Sequence, residues 1–318
     1  MAPFRNHLME MESHMPFINI FYSKKNAPET PLEKIPNDKI GKIDLHRPSD
    51  GLLKIREPMR SLPRLIFSFI PFVIGLLIWM WMTSGDSPEM RRIPPTILPS
   101  PGEVISSIPT LWFDGALMRN IILSLSRVIG GFLIACLIAL PLGVLMGACS
   151  RISATFSLVM TILSYLPMPA LLPLTMVWWG SGEEQKIGFL ALVTFSMLLP
   201  LVVRAIGNVD HKYVLSAYSQ GAGSWNVLRK VLIPISAPEI FGGLRMCLGV
   251  GWTYIVLAEV IKSDGDLGGV GNLIMVYHRL GHMSEVYLVV ISIGIVGMFL
   301  DKICSWMKLG LFPYLTSK

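Results

Sequence analysis

Charge is what this sequence has least of. Asp, Glu, Lys and Arg make up 15% of its 318 residues, where a soluble domain carries about 25%. The apolar share is 52% and comes in long runs, which excludes an ordinary water-soluble globule. The net charge is +6, yet the polar surface that would present a basic patch is missing, so no nucleic-acid partner is expected. Cysteine is scarce too. Cys136, Cys149, Cys247 and Cys304 lie in or beside apolar stretches with no CxxC or other ligand spacing, and they read as small hydrophobes.

Several chemistries are also missing. No GxxxxGK[ST] phosphate loop occurs: Gly221-Ala-Gly223 lacks a following Lys-Ser/Thr, and Lys230 stands in the wrong place. The glycines at 265, 268, 269 and 271 read as a loop outside the membrane. Neither Ser126 nor Ser164 has a Gly-x-Ser-x-Gly setting or an evident His partner. His278 and His282 are four apart, a spacing that places two ligands on one helical face, but no third ligand stands nearby. That segment reads as a plain outer loop. Neither a metal site, a cofactor nor a catalytic constellation is expected. The first apolar run starts only near Arg64, so it reads as a retained transmembrane helix and not as a signal peptide.

What is present is hydrophobic length. Six stretches reach the roughly 20 apolar residues that a bilayer demands: about 64–82, 121–149, 153–179, 187–207, 240–261 and 286–309. The expected fold is all-α, with six transmembrane helices around one core. Pro141 interrupts the second stretch. Pro167, Pro169 and Pro173 interrupt the third, which is better described as two shorter helices. Prolines inside spans mark helices that line a packed or water-filled interior. Residues 1–63 are polar and proline-rich, and read as a largely disordered tail. Within it Met15–Tyr22 is either a short amphipathic piece for a membrane or partner surface, or part of a floppy segment. The six-helix transmembrane core is 64–310, and 311–318 form a short carboxyl tail.

Lysine and arginine set the orientation. Most of the 27 fall in residues 1–64, at Arg151, in 204–236 and from Lys302 onward. The positive-inside rule then places both termini and the 207–238 loop in the cytoplasm. Outside, Ser100, Pro101 and Glu103 form a capping box. They predict a short interfacial helix with Val104, Ile105, Ile108, Leu111 and Trp112 on its apolar stripe.

The loop 207–238 is the most informative segment. Val214–Gln220 reads as a short helix stopped by Gly221-Ala222-Gly223. Ser224 caps a second helix, Trp225–Ile233, that Pro234 ends, and Ser236-Ala-Pro238-Glu239 is a capping box that opens the fifth span. Two short helices on one face of a membrane body suit docking into a groove on a soluble partner.

Here the sequence resembles a known family. Ala217, Gly221 and Val231-Leu-Ile233-Pro234 keep the spacing of the loop that marks binding-protein-dependent ABC importer permeases: Glu-Ala-Ala, three residues, Gly, nine residues, Ile-x-Leu-Pro. Three further stretches resemble the nitrate/sulfonate/taurine/bicarbonate branch. They are Ser124-Leu-Ser-Arg127-Val-Ile-Gly-Gly-Phe132 leading to Leu140-Pro-Leu-Gly143, Trp178-Trp179-Gly180-Ser-Gly182, and Ile293-Gly-Ile-Val-Gly297 followed by Leu300-Asp301. Leu215 and Ser216 stand where the family has Glu and its first Ala. The resemblance covers about 64–310. It implies a non-catalytic permease subunit in a bacterial inner membrane, with cytoplasmic ATPase subunits and a solute-binding protein as partners. It assigns Ala217, Gly221 and Ala222 to the ATPase contact and Pro234 to a bend, and a small oxyanion or sulfonate to the pathway. A homodimer is expected, because one copy would leave polar pathway residues facing lipid.

Ionisable residues in spans are costly and mark cavities or partners. Arg127 and Glu259 are the candidate pathway residues: Arg127 draws in an anion or pairs with Glu259. In the alternative reading these side chains and Arg245 snorkel to headgroups or hold helices together. An ATP-independent secondary transporter or channel is the main rival. It predicts internal repeats and carboxylate or histidine relays, whereas the sequence shows no repeat and Glu259 as the one mid-span acid.

Overall fold

The computed structural model describes residues 61–85, 91–261 and 268–315. Two units are delimited, Met1–Ile66 and Phe67–Lys318. Of the first only residues 61–66, which are helical, are described, and the architecture below is that of the second. The expected tail up to residue 60, Met15–Tyr22 included, lies outside the described residues.

The described chain is helical, with no strand among the described residues. In order come α1 (Ser61–Met82), α2 (Pro101–Ser106), α3 (Ile108–Phe113), α4 (Leu117–Ala148), α5 (Ser150–Tyr165), a 3-10 turn (Met168–Leu171), α6 (Leu172–Trp179), α7 (Glu183–Gly207) and α8 (His211–Ser219). Then follow α9 (Ser224–Val227), a π turn (Leu228–Leu232), α10 (Ile233–Val260), α11 (Val270–Arg279), α12 (Met283–Leu311) and a closing 3-10 turn (Pro313–Leu315). Among the described residues, four helices are long and apolar enough to cross a membrane: α4, α7, the continuous helix Ser224–Val260, and α12. α5 and the segment Met168–Trp179 form a pair bent by 95°, as the prolines at 167, 169 and 173 predict. α1 supplies the first apolar stretch, with Ile66–Met82 as its apolar described part. α4, by contrast, runs through Pro141 without a break.

Why α4 packs so closely on α7 is written at every fourth residue. Gly131, Ala135, Ala139, Gly143 and Gly147 lie on one face of α4, and both alanines are buried. A Cβ on Gly131 would stand 2.6 Å from Leu190 Cβ, one on Gly143 2.8 Å from Val202, and one on Gly147 2.6 Å from Ile206. Small residues at this period let two backbones approach where water exclusion cannot drive association. The core continues through α10. One cluster joins Val128, Phe189, Val193, Trp252 and Ile255, and another joins Met146, Leu199, Val202, Ile206 and Cys247. α12 buries only Val289, so its apolar surface faces outward.

The outer capping box forms as expected. Ser100 Oγ accepts from the Glu103 N–H, and Glu103 accepts from the Ser100 N–H at 2.7 Å. The helix then breaks at Ser107, and of the expected stripe Val104 and Leu111 are buried while Ile105, Ile108 and Trp112 are exposed.

Three local expectations are corrected. Pro234 does not end a helix: the chain stays helical from Ser224 to Val260. Proline at 234 has no N–H for the Lys230 carbonyl, and the helix widens instead, with the Ile233 N–H reaching the Leu228 carbonyl across the π turn. Ser236 caps nothing. It is buried inside α10 and its Oγ bonds the Leu232 and Ile233 carbonyls, while Glu239 accepts from Asn208 Nδ2 at 2.8 Å. Finally, the segment read as a plain outer loop contains α11.

Candidate functional site

Two constellations stand at opposite ends of the bundle. At the end where α4 and α7 begin and α10 finishes, one face of α4 presents Asn120, Ser124 and Arg127. Glu259, in the last turn of α10, faces them. Arg127 Nη1 donates to Glu259 Oε1 at 2.6 Å and to the Gly268 carbonyl at 2.7 Å. Its Nε donates to Glu183 Oε2 at 2.6 Å, and Nη2 completes the fork on Glu183 Oε1. Arg127 and Glu259 are 1% and 0% exposed, Glu183 35%.

The carboxylate of Glu259 is fully engaged. Besides Arg127 it accepts Ser124 Oγ at 2.7 and 2.8 Å and the Gly271 N–H at 3.0 Å, at the start of α11. Ser124 Oγ accepts in turn from the Val270 N–H at 3.0 Å, and Asn120 Oδ1 from the Gly269 N–H at 2.6 Å. Gly268 and Gly269 have φ of 105° and 127°, a region that side chains avoid. A Cβ on Gly269 would overlap the Glu259 carboxylate. The chain enters α11 here because its backbone N–H groups are capped from α4 and α10. In this arrangement a buried cation meets two carboxylates, so its charge is already answered within the protein.

Sequence reasoning named Arg127 and Glu259 but missed Glu183, Ser124 and Asn120. The spacing 120, 124, 127 on one helical face was the available signal. His278 and His282 do not share a helix face: α11 ends at Arg279, and His282 lies beyond the turn at Gly281. Groups of three or more metal-ligating side chains are absent among the described residues. Ser126 and Ser164 bond carbonyls of their own helices, those of Leu123 and Met160.

At the other end, α8 is an exposed helix with no buried residue. Asp210 caps it, accepting the Lys212 N–H at 3.0 Å. It closes in a Schellman turn: the Gly221 N–H reaches the Tyr218 carbonyl at 2.9 Å and the Ala222 N–H reaches the Ala217 carbonyl at 3.1 Å. That turn needs a left-handed residue, and Gly221 supplies it with φ 80°. Three of the named residues, Ala217, Gly221 and Ala222, are thus one hydrogen-bonded corner. Pro234 lies apart from it, behind the π turn. Tyr213, Leu215, Tyr218 and Trp225 stand exposed around the corner. A cavity of about 570 Å³, lined by Cys149, Val209, His211, Tyr218, Trp225 and Leu228 among others, lies beneath α8.

The profile of the binding-protein-dependent transport system inner membrane component family matches residues 139–306. The chain belongs to that family. It is a multi-pass inner-membrane permease subunit of the ABC transporter type, which points to transport and not to catalysis, and the family works with an ATPase and a solute-binding protein. An ABC transporter permease protein of Methanocaldococcus jannaschii is 34% identical over 65% of this chain and 79% of its own length. The taurine transport system permease protein of Escherichia coli is 30% identical over 61% and 72%. The bicarbonate transport system permease protein of Synechococcus elongatus is 26% identical over 82% and 93%. Among solved structures, a chain of the MetNI methionine ABC transporter matches with a TM-score of 0.56 at 20% identity, over 64% of this permease and 98% of that chain. That likeness fixes the fold.

Proposed function

We propose that two copies of this permease enclose a pathway for a small polar or anionic solute of the nitrate, sulfonate, taurine or bicarbonate type. A solute-binding protein delivers the solute, and two cytoplasmic ATPases drive the transfer. The observation that carries this reading is the corner at Ala217–Ala222. It is a hydrogen-bonded, exposed knob joined through α9 and the π turn to the helix that carries Glu259 in its last turn, so a push on the knob is transmitted along one rigid element. Names of relatives, taurine and bicarbonate among them, support the solute class.

In this reading both termini and the 207–238 loop face the cytoplasm, 64–310 is the transport domain, and Ala217, Gly221 and Ala222 contact the ATPase. Pro234 sets the joint between knob and span. Arg127 and Glu259 belong to the outer end of the pathway, where they fasten α4, α7, α10 and α11 together. Leu215 in place of a glutamate makes the ATPase contact apolar at that point.

Cysteines placed at 217, 221 and 222 test the arrangement by cross-linking in membranes. Cross-links to the ATPase subunit are expected. Cross-links absent from all three, or solute uptake that proceeds without ATP, would favour a secondary transporter.

A further inference from the structure

Within the apolar helices α10 and α12, away from both constellations, stands a third charged group. Arg245 Nε and Nη2 form a two-pronged pair with Asp301, at 2.5 Å each. Asp301 thus adds a second acid within a span, beside Glu259. The pair is not buried: the side chains are 34% and 55% exposed. It opens into a cavity of about 310 Å³ lined by Gly242, Arg245, Met246, Asp301 and Lys308. Lys308 reaches across from α12, its Nζ 3.8 Å from where a Gly242 Cβ would stand. Met246 also lines an adjoining cavity of about 400 Å³ that includes Ser164, Ser196, Arg204 and Tyr254. Arg245, Asp301 and Lys308 thus form a charged seam, and the adjoining cavity is lined mostly by apolar residues such as Leu163, Pro167, Met197 and Leu201.

Three features separate this seam from a structural ion pair. An exposed pair contributes little to stability, yet charges in a span are costly unless they face water or a partner. The lining charge is not balanced, since Arg245 and Lys308 meet one carboxylate. The guanidinium also has five N–H donors, and Asp301 takes two of them.

We propose that Arg245, held in place by Asp301 and assisted by Lys308, is a binding site within the pathway for the planar or tetrahedral head of a small oxyanion. The guanidinium fork matches two oxygens of such a group. Asp301 keeps the cation oriented when no solute is present and competes with the solute, so that binding stays weak enough for release. This inference rests on the reading of the chain as an anion-conducting permease and names the residues that read the charge.

The test uses the full complex of permease, ATPase and solute-binding protein in ATP-loaded proteoliposomes, with taurine, methanesulfonate, nitrate and bicarbonate as probes. Wild-type uptake of none of the four overturns the proposed solute class and the inference with it. If one is taken up, Arg245→Gln is expected to raise its KM at least about tenfold and Lys308→Gln about threefold. The charge swap Arg245→Asp with Asp301→Arg separates site from scaffold. A structural pair is restored by the swap, whereas a binding site is not. Recovery of transport in the swap, or wild-type KM in both single variants, overturns the inference. Should the Arg245→Gln complex fail to assemble, Lys308→Gln decides, and an unchanged KM there counts as refutation.

Discussion

Arg127 and Glu259, 132 residues apart in sequence, meet at 2.6 Å with side chains 1% and 0% exposed. Neither charge is tolerable alone at that burial. Breaking such a pair by removing one partner typically costs about 3–5 kcal/mol. Glu259→Gln leaves Arg127 with Glu183 as its remaining carboxylate, and we expect a clearly lowered melting temperature in detergent. Ser124→Ala removes the hydroxyl bond to the Glu259 carboxylate and the acceptor of the buried Val270 N–H, and should cost about 2–3 kcal/mol. A Glu259→Gln protein that melts with wild type would show that the pair carries no stability.

The stripe of small residues on α4 makes a sharper prediction, because each position has its own clearance. Gly143→Val drives side-chain atoms into Val202, already 2.8 Å from an ideal Cβ, and overpacking of this kind costs about 1–3 kcal/mol. Gly130→Ala is the control, since its Cβ would meet Ile187 at 3.6 Å, an ordinary contact. Thermal unfolding of the two variants should therefore differ, the first destabilised and the second close to wild type.

What was legible in the sequence is what local chemistry decides. Apolar runs gave the helices, and the capping box at Ser100 and Glu103 lies within four residues, so no tertiary knowledge was needed. The bend at Pro167 followed from three prolines in seven residues. Pro234 misled for a physical reason: a proline stops a helix only when the preceding turn cannot widen, and here buried Val227 and Leu228 anchor a π turn that can. Glu183 was invisible as a partner because it lies 56 residues from Arg127, and only the packing of α4 on α7 brings them together. Arg245 was noticed alone. Its pairing with Asp301 depends on α10 and α12 lying side by side, which no spacing in the chain reveals.

Gly221 is the one position in the exposed corner where conformation and contact can be separated. Nothing lies within 4 Å of a Cβ built there, so a side chain meets open space and the strain is limited to φ, roughly 1–2 kcal/mol for a left-handed L-residue. Gly221→Arg should leave the spans folded, with an unchanged helical signal, while uptake is lost and ATP hydrolysis persists. Normal uptake in this variant would remove the corner from the coupling route.

Glu103 offers a pH prediction outside the spans. Burial works against its ionisation, but the Ser100 N–H and the Arg91 guanidinium outweigh it and hold the carboxyl below its ordinary value. A depressed folded-state value stabilises the folded form above the unfolded value, and that contribution is lost as pH falls through the folded one. The protection factors of the amides of 100–107, corrected for the intrinsic pH dependence of exchange, should therefore fall on acidification below the usual carboxylate range. Glu103→Gln keeps the cap acceptor and should abolish the pH dependence of these protection factors, leaving them near the acid-state values.

Pro234 decides how the corner is aimed. With proline there, the Lys230 carbonyl has no α-helical donor, and the turn Leu228–Leu232 carries one residue more than an α-turn would. Pro234→Ala restores the missing N–H, so the helix can relax to a regular ladder. Absorbing one residue turns the preceding segment by roughly 100° about the axis, and α8 with Tyr218 and Trp225 would be carried round with it. Spin labels at 215 on α8 and 204 on α7 read this as a changed distance in pulsed resonance measurements. The changed aim should also weaken retention of the ATPase on purification. An unchanged label distance together with full retention would mean that buried Val227 and Leu228, and not the proline, hold the π turn open.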